Sequence, residues 1–211
     1  MPPQSLPALI AARIGERSSA DVWTPVDFLD LGPRGAVDKA LQRLARAGKI
    51  RRIDRGLYDS PRMNALTGRP TMPDYRAVLD ALARRDQARM LIDGLTAAND
   101  LGLTDAVPAR VVVYTDARRG PVHLGNLVIQ FKLAAPSRLY WAGRPAMRLV
   151  QALHWLKDLL PGDRARIVAR LRAQLADPMN GPALRADLRE GLPTLPAWMH
   201  GVVRDLLEVA A

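Results

Sequence analysis

The sequence predicts a mixed α/β (α+β) protein, with a helix-and-hairpin region near the N-terminus and a mixed domain after it. Three observations support this class. Apolar residues make up 48% of the 211 residues, which is enough for a folded core. Apolar positions recur at helical spacing along much of the chain. Between residues 110 and 132, three short runs rich in β-branched residues indicate strands.

The segment 32–61, GPRGAVDKALQRLARAGKIRRIDRGLYDSP, organises the N-terminal region. Pro33 suits the first position of a helix and Gly48 suits its end. The helix between them has one apolar stripe, formed by Val37, Ala40, Leu41, Leu44 and Ala47. Residues 50–53 and 57–58 then predict two short strands joined by a turn at 54–56. A helix followed by a tight hairpin with a cationic tip indicates a winged helix-turn-helix, which we expect to span residues 1–65.

Two shorter elements should precede that helix. Apolar spacing predicts a first helix over residues 5–16, after which Ser18 or Ser19 is placed to act as a cap. Residues 21–24 suggest a short strand or extended turn. Thr24 followed by Pro25 is typical of a helix start, so a short second helix is expected to follow.

The charge of this region favours a polyanionic partner. The chain has 31 Lys and Arg against 21 Asp and Glu, and residues 34–69 alone contain ten basic and three acidic residues. In a winged fold, the N-terminal part of the third helix reads bases in the major groove, and the wing contacts the DNA backbone or minor groove. We therefore expect base contacts from Arg34, Lys39 and Gln42 and phosphate contacts from Arg43 and Arg46. The wing would contribute Arg51, Arg52 and Arg55.

The second domain is expected over residues 74–211, after a turn-rich boundary at 62–73. Helices are predicted at 74–85 and 96–101. The runs at 110–115, 122–124 and 127–132 predict a small antiparallel β-meander. Further helices should lie within 144–160, at 163–176 and at 197–209, whereas 178–196 is interrupted by proline and glycine.

Composition argues against several classes of protein. The sequence has no cysteine and only three widely spaced histidines, so we expect neither disulfides nor a metal site, and no cofactor. No apolar run is long enough to span a bilayer, and the first residues do not resemble a signal peptide. These features favour a cytoplasmic protein. No GxGxxG, P-loop or G-x-S-x-G motif occurs and the histidines have no obvious nucleophile partner, so we expect that it is not an enzyme.

One catalytic alternative remains open. Asp116 ends a predicted strand, and Gln130 and Lys132 lie two strands later. Some metal-dependent nucleases place a carboxylate, a second ligand and a lysine in this order. Asp116 would serve equally well as a turn residue, and alternation along a strand places Gln130 and Lys132 on one face in any case.

The overall pattern resembles the AbiEi-type antitoxins of type IV toxin–antitoxin systems. The resemblance rests on residues 35–61, on LTAANDLGL at 95–103, on VPARVVVYTD at 107–116, on LGNLVIQFK at 124–132 and on AGRPAMRLVQALHWL at 142–156. It implies a cytoplasmic autorepressor that binds inverted repeats in double-stranded operator DNA. It also implies an antitoxin for a nucleotidyltransferase-type toxin, which would be a functional partner and not necessarily a physical one. A regulator without a toxin gene would have the same sequence features.

Overall fold

The computed structural model describes residues 5–16 and 21–208. The described residues divide into two compact units. Unit 1 contains the described residues of the ranges Met1–Ala88 and Arg119–Ile129. Unit 2 contains the described residues of the ranges Arg89–Arg118 and Gln130–Ala211. The predicted mixed α/β class is confirmed. The domain boundaries 1–65 and 74–211 stay a prediction.

The described part of the chain contains eight helices and seven strands. In chain order they are α1 Leu6–Glu16, β1 Val22–Trp23, α2 Arg34–Arg46, β2 Arg51–Asp54, β3 Leu57–Asp59, α3 Tyr75–Asp86, β4 Met90–Ile92, α4 Gly94–Asp100, β5 Arg110–Thr115, β6 Val122–Leu124, β7 Leu127–Leu133, α5 Met147–Leu156, α6 Leu160–Leu175, α7 Gly181–Gly191 and α8 Ala197–Glu208. None of these helices is long and apolar enough to cross a membrane.

The core of unit 1 forms around the apolar stripe of α2. Val37, Ala40, Leu41 and Leu44 are buried there, together with Ile10 and Ile14 of α1. A three-stranded sheet in the order β1-β3-β2 contributes Trp23 and Tyr58 to the same core. The helix at 33–47 and the hairpin at 50–58 were therefore predicted nearly to their bounds. Gly48 and Gly56 have φ values of 69° and 68°, in the left-handed region that favours glycine.

Two local predictions in unit 1 differ from the structure in detail. The expected second helix begins as predicted, with Thr24 as its N-cap, but it is a short 3₁₀ helix, Pro25–Phe28, in which the Thr24 N–H and hydroxyl both donate to the Asp27 carboxylate. The segment is too short for a full α-helix, because Gly32 and Pro33 interrupt it within five residues of Phe28. Pro33 is the N-cap of α2 and not its first helical residue. The proposed caps Ser18 and Ser19 lie outside the described residues.

The second sheet has the order β4-β5-β7-β6, which differs from the expected meander. In a meander β6 would lie between β5 and β7. Instead, β6 pairs antiparallel with the first three residues of β7, with Leu124 opposite Leu127. The longer β7 extends beyond that hairpin and also borders β5. On the other side of β5, the short apolar run at 90–92 adds the antiparallel strand β4.

The helices of unit 2 include one that the sequence patterns did not predict. Residues 181–191 form α7 inside the stretch that proline and glycine had suggested to be irregular. Pro182 lies in the first turn of that helix, where its missing N–H removes no helical hydrogen bond. In α6, Asp163 has non-helical angles that mark a kink, so the regular part of that helix follows the expected range.

Candidate nucleic-acid interface

The solvent face of α2 carries most of the residues that were expected to contact DNA. At about 100° of rotation per residue, the side chains opposite the buried stripe share one face of the helix. All four of these residues are exposed: Lys39, Gln42, Arg43 and Arg46. Gly35 lies on the same face one turn earlier, and a Cβ added there would meet no protein atom within 4 Å. The face is therefore cationic and sterically open at its N-terminal end.

Arg34 lies at the edge of this face. It is exposed, and its Nε lies 3.1 Å from the carboxylate of Asp38, one turn further along α2. An exposed pair at this spacing stabilises a helix only weakly, by about 0.3–0.5 kcal/mol. The guanidinium of Arg34 can therefore exchange this partner for another acceptor at little cost.

Arg51 and Arg52, adjacent in the β2–β3 hairpin, lie on opposite faces of the first sheet. Arg52 is opposite Tyr58, and Tyr58 is opposite Trp23 on the next strand. Directly opposite residues project from the same face of a sheet. Because Trp23 and Tyr58 belong to the core that α2 covers, Arg52 projects from the α2 side of the sheet, where it is exposed.

Tyr58 lies where α2 and the hairpin meet. Burial raises the pKa of its hydroxyl, the charge of Arg52 opposes this rise, and the charge of Asp38 adds to it. The hydroxyl thus responds to one charged residue of the hairpin and to one of α2. Arg52 of the hairpin and Asp38 of α2 therefore both lie near the Tyr58 hydroxyl.

Arg51 projects from the other face of the sheet and is bound within the protein. Its Nε lies 3.0 Å from Oδ1 of Asp59, and its Nη2 donates to the Thr71 carbonyl at 2.8 Å. The side chain of Asp59 is only 3% exposed, so this carboxylate depends on Arg51 for its neutralisation. Arg51 is thus held by a buried carboxylate and a carbonyl, whereas Arg52 makes one longer hydrogen bond, from its Nε to the Asp54 carbonyl at 3.4 Å.

The tip of the hairpin is braced by a cluster from elsewhere in unit 1. Arg55 is exposed, and its carbonyl accepts a hydrogen bond of 2.9 Å from Nη1 of Arg85 in α3. Arg85 also binds the carboxylate of Asp86, which in turn binds Arg119 at 2.7 Å. We call Arg85, Asp86 and Arg119 the wing brace. Hydrogen bonds from Arg85 lower the pKa of Asp86, burial opposes this, and the charges of Arg85 and Arg119 lower it further.

The sequence patterns missed both Asp59 and the wing brace. The two-residue turn Arg55-Gly56 would by itself place Arg52 opposite Asp59, and only the register shift between Arg52 and Asp54 brings Arg51 there, so the pattern gave no signal for this pair. The brace had no local signal. It depends on residues 119–129 packing with unit 1, and they follow α3 by more than thirty positions.

The residues of the nuclease alternative are also placed in the structure. Both oxygens of the Asp116 carboxylate accept hydrogen bonds from Arg89, one from its N–H at 2.9 Å and one from its Nε at 2.8 Å. These bonds lower the pKa of Asp116. Gln130 is half-buried and Lys132 is exposed. Within residues 5–16 and 21–208, no group of three or more His, Cys, Asp or Glu side chains is arranged to hold a metal ion.

Comparison with known proteins assigns the chain to a family. No functionally curated protein matches the sequence. The family of unknown function DUF6088 matches residues 10–169, a range that includes α2, the hairpin and the second sheet. This range covers about three quarters of the chain, and the protein therefore belongs to the DUF6088 family.

Proposed function

We propose that this protein is a sequence-specific DNA-binding autorepressor whose unit 1 works as a winged helix-turn-helix. In this proposal α2 is the recognition helix and the β2–β3 hairpin is the wing. The observation that carries the proposal is the solvent face of α2, which presents Lys39, Gln42, Arg43 and Arg46 opposite the buried stripe. A helix of this kind fits the width of the major groove.

The positions on α2 suggest a division of roles. Lys39 and Gln42 lie towards the middle of the exposed face, where side chains would reach base edges. Lysine can donate hydrogen bonds to guanine, and glutamine can form a pair of hydrogen bonds with adenine. Arg34 can join them if it exchanges Asp38 for a base. Arg43 and Arg46, nearer the C-terminal end, would bind phosphates. The open position at Gly35 would let the DNA backbone come close to the start of the helix.

The wing would contribute Arg52 and Arg55. Both side chains are exposed, and Arg52 projects from the α2 side of the sheet. We leave Arg51 out of the DNA contacts, because its guanidinium is held by Asp59 and the Thr71 carbonyl. Its proposed role is to maintain the shape of the hairpin.

The antitoxin part of the proposal rests on the resemblance to AbiEi-type proteins. In this proposal the protein is cytoplasmic, represses its own promoter through inverted repeats and opposes a nucleotidyltransferase-type toxin. Repression would belong to unit 1. The residues of unit 2 would support the opposition to the toxin, without requiring a stable complex between the two proteins.

A gel-shift titration tests the DNA-binding part. DNA from upstream of the protein's own gene is titrated with protein at several salt concentrations. Arg46→Ala should lower affinity for all sequences and reduce the slope of log K against log salt by about one, since one phosphate contact is lost. Gln42→Ala should weaken binding to the operator by about 1–3 kcal/mol and relax one base position.

A matched control separates local contacts from overall charge. Arg204→Ala in α8 removes the same charge from an exposed position in unit 2 and should leave both slope and affinity nearly unchanged. Equal effects of Arg46→Ala and Arg204→Ala would mean that net charge alone drives binding. No operator shift at low salt would reject the DNA-binding proposal.

Co-expression tests the antitoxin part separately. The neighbouring reading frame is expressed with and without this protein, and bacterial growth is measured. If the neighbour encodes a nucleotidyltransferase-type toxin, the wild-type protein should restore growth. A variant with Lys39, Arg43 and Arg46 all changed to Ala should lose repression yet still restore growth. Failure of the wild type to restore growth would leave a DNA-binding regulator without antitoxin activity.

A further inference from the structure

Unit 2 contains a cavity of about 500 Å³, within the range of sites that hold small organic molecules. Four of the chain's ten Phe, Trp and Tyr residues line it: Tyr114, Tyr140, Trp141 and Trp155. Trp141 is almost fully buried, whereas Trp155 remains 38% exposed. The cavity is therefore lined by one buried ring, that of Trp141, and by one ring that contacts solvent, that of Trp155.

A single arginine supplies the accessible positive charge of this cavity. Arg138 is exposed, and its guanidinium carbon lies 3.8 Å from the centroid of the Tyr114 ring. This stacking fixes the plane of the guanidinium but leaves its N–H groups available at the edge. Within the described residues, Arg138 has no ion pair with a carboxylate, unlike Arg89, Arg144 or Arg148 of the same unit.

The acidic group of the cavity is already satisfied. The Asp93 carboxylate accepts hydrogen bonds from the Thr96 N–H, the Thr96 hydroxyl and the Val112 N–H, at 3.0, 2.7 and 2.9 Å. These bonds cap α4 and tie it to β5. Asp93 is therefore not free to attract a cationic ligand, and Arg138 sets the sign of charge that the cavity prefers.

Neutral polar groups complete the lining. Ser137, Gln151 and Thr194 offer hydroxyl and amide groups. His154 packs its ring edge-on against Trp198, with the centroids 6.1 Å apart. Burial, followed by the positive charge of Arg138, lowers the pKa of His154, which favours the neutral form of the imidazole.

We propose that this cavity binds a small planar anion, an aromatic ring that carries a carboxylate or a phosphate group. The ring packs against Tyr140 and Trp155, and the anionic group pairs with the N–H edge of Arg138. Offset or edge-on packing of rings accounts for the aromatic lining, and a planar guanidinium matches the two oxygens of a carboxylate or phosphate. This site is independent of the proposed DNA interface, since all its residues belong to unit 2.

Calorimetric titration of the full-length protein tests the proposal with three probes that share one ring. They are 2-naphthoate, 2-naphthyl phosphate and the neutral 2-naphthamide. At least one anion should bind about tenfold or more tightly than the amide, because a charge-assisted hydrogen bond is stronger than a neutral one. The preferred anion identifies whether carboxylates or phosphates are the class of ligand.

Two variants and one control locate the site. Arg138→Gln should reduce the affinity for the anion to that for the amide. Trp155→Leu should reduce the affinity for every probe that binds. Arg189→Gln removes an exposed positive charge of unit 2 that does not line the cavity, and should change nothing. The proposal is wrong if no probe binds at millimolar concentration, if the amide binds as well as the anions, or if Arg138→Gln and Arg189→Gln behave alike.

Discussion

Arg119 binds the carboxylate of Asp86 at 2.7 Å, across 33 positions of sequence. Through Arg85, the same carboxylate is linked to the carbonyl of Arg55 at the tip of the β2–β3 hairpin. The orientation of a surface hairpin is thus tied to α3 and to a segment from later in the chain. Strand β1 pairs only with Tyr58 and Asp59, so it does not reach the tip of the hairpin, and this tie helps to fix the position of the tip.

If unit 1 binds DNA as proposed, loss of the wing brace should weaken this binding without removing a DNA contact. In Asp86→Asn both Arg85 and Arg119 lose an ionic partner, and the hairpin tip becomes less fixed. We expect operator affinity to fall about fivefold, equivalent to ~1 kcal/mol, with an unchanged salt slope. Gel-shift titration at several salt concentrations measures both quantities.

Asp80→Asn is the matched control for this substitution. Asp80 is exposed on the same helix, α3, and is not part of the wing brace. Its substitution should leave operator affinity within error of the wild type. If Asp86→Asn lowers the salt slope as well as the affinity, the brace is not the reason for its effect.

The pair of Arg51 and Asp59 should contribute to folding stability. Arg51→Met leaves the buried Asp59 carboxylate without its cation, and we expect the free energy of unfolding to fall by about 2–4 kcal/mol. Chemical denaturation followed by circular dichroism measures this loss. The double variant Arg51→Met/Asp59→Leu should recover much of it, because no unpaired charge remains buried. A double variant less stable than Arg51→Met would contradict this role of the pair.

His154 should titrate below its ordinary pKa, which is 6.5. Because its folded pKa is depressed, the unfolded chain binds the proton first as the pH falls. The corresponding stability is present above pH 6.5 and is lost as the pH falls towards the folded pKa. NMR titration of the His154 ring measures its midpoint. Arg138→Gln should raise that midpoint by removing a neighbouring charge, and an unchanged midpoint would mean that this charge has no influence.

Two glycines should respond in opposite directions to the same substitution. A Cβ at Gly94 would lie 2.6 Å from both the Gln151 carbonyl oxygen and the Trp155 Cβ, so α4 and α5 would have to separate. Gly94→Ala should destabilise the protein by about 1–3 kcal/mol. Gly35→Ala meets no atom within 4 Å and should stabilise α2 by about 0.5 kcal/mol. Thermal denaturation of both variants checks this, and a stable Gly94→Ala would show that α4 and α5 can adjust.

Local patterns in the sequence were enough for the elements around the proposed DNA interface. The apolar stripe from Val37 to Leu44 predicted both the helix and its buried face, and therefore the exposed positions of Lys39, Gln42, Arg43 and Arg46. Gly48 and Gly56 predicted the helix end and the hairpin turn, because few other residues tolerate positive φ there. The physical basis is the same in each case, since periodicity and backbone sterics act over only a few residues.

Long-range packing decided the rest. It brought 119–129 into unit 1, placed β7 between β5 and β6, and assembled the aromatic cavity from residues between Leu91 and Pro196. It also separated Arg51 from Arg52, leaving one bound to Asp59 and the other at the α2 side of the sheet. Contacts between residues far apart in sequence form because their surfaces are buried from water together. The free energy of this burial depends on the whole fold and cannot be read from a single segment.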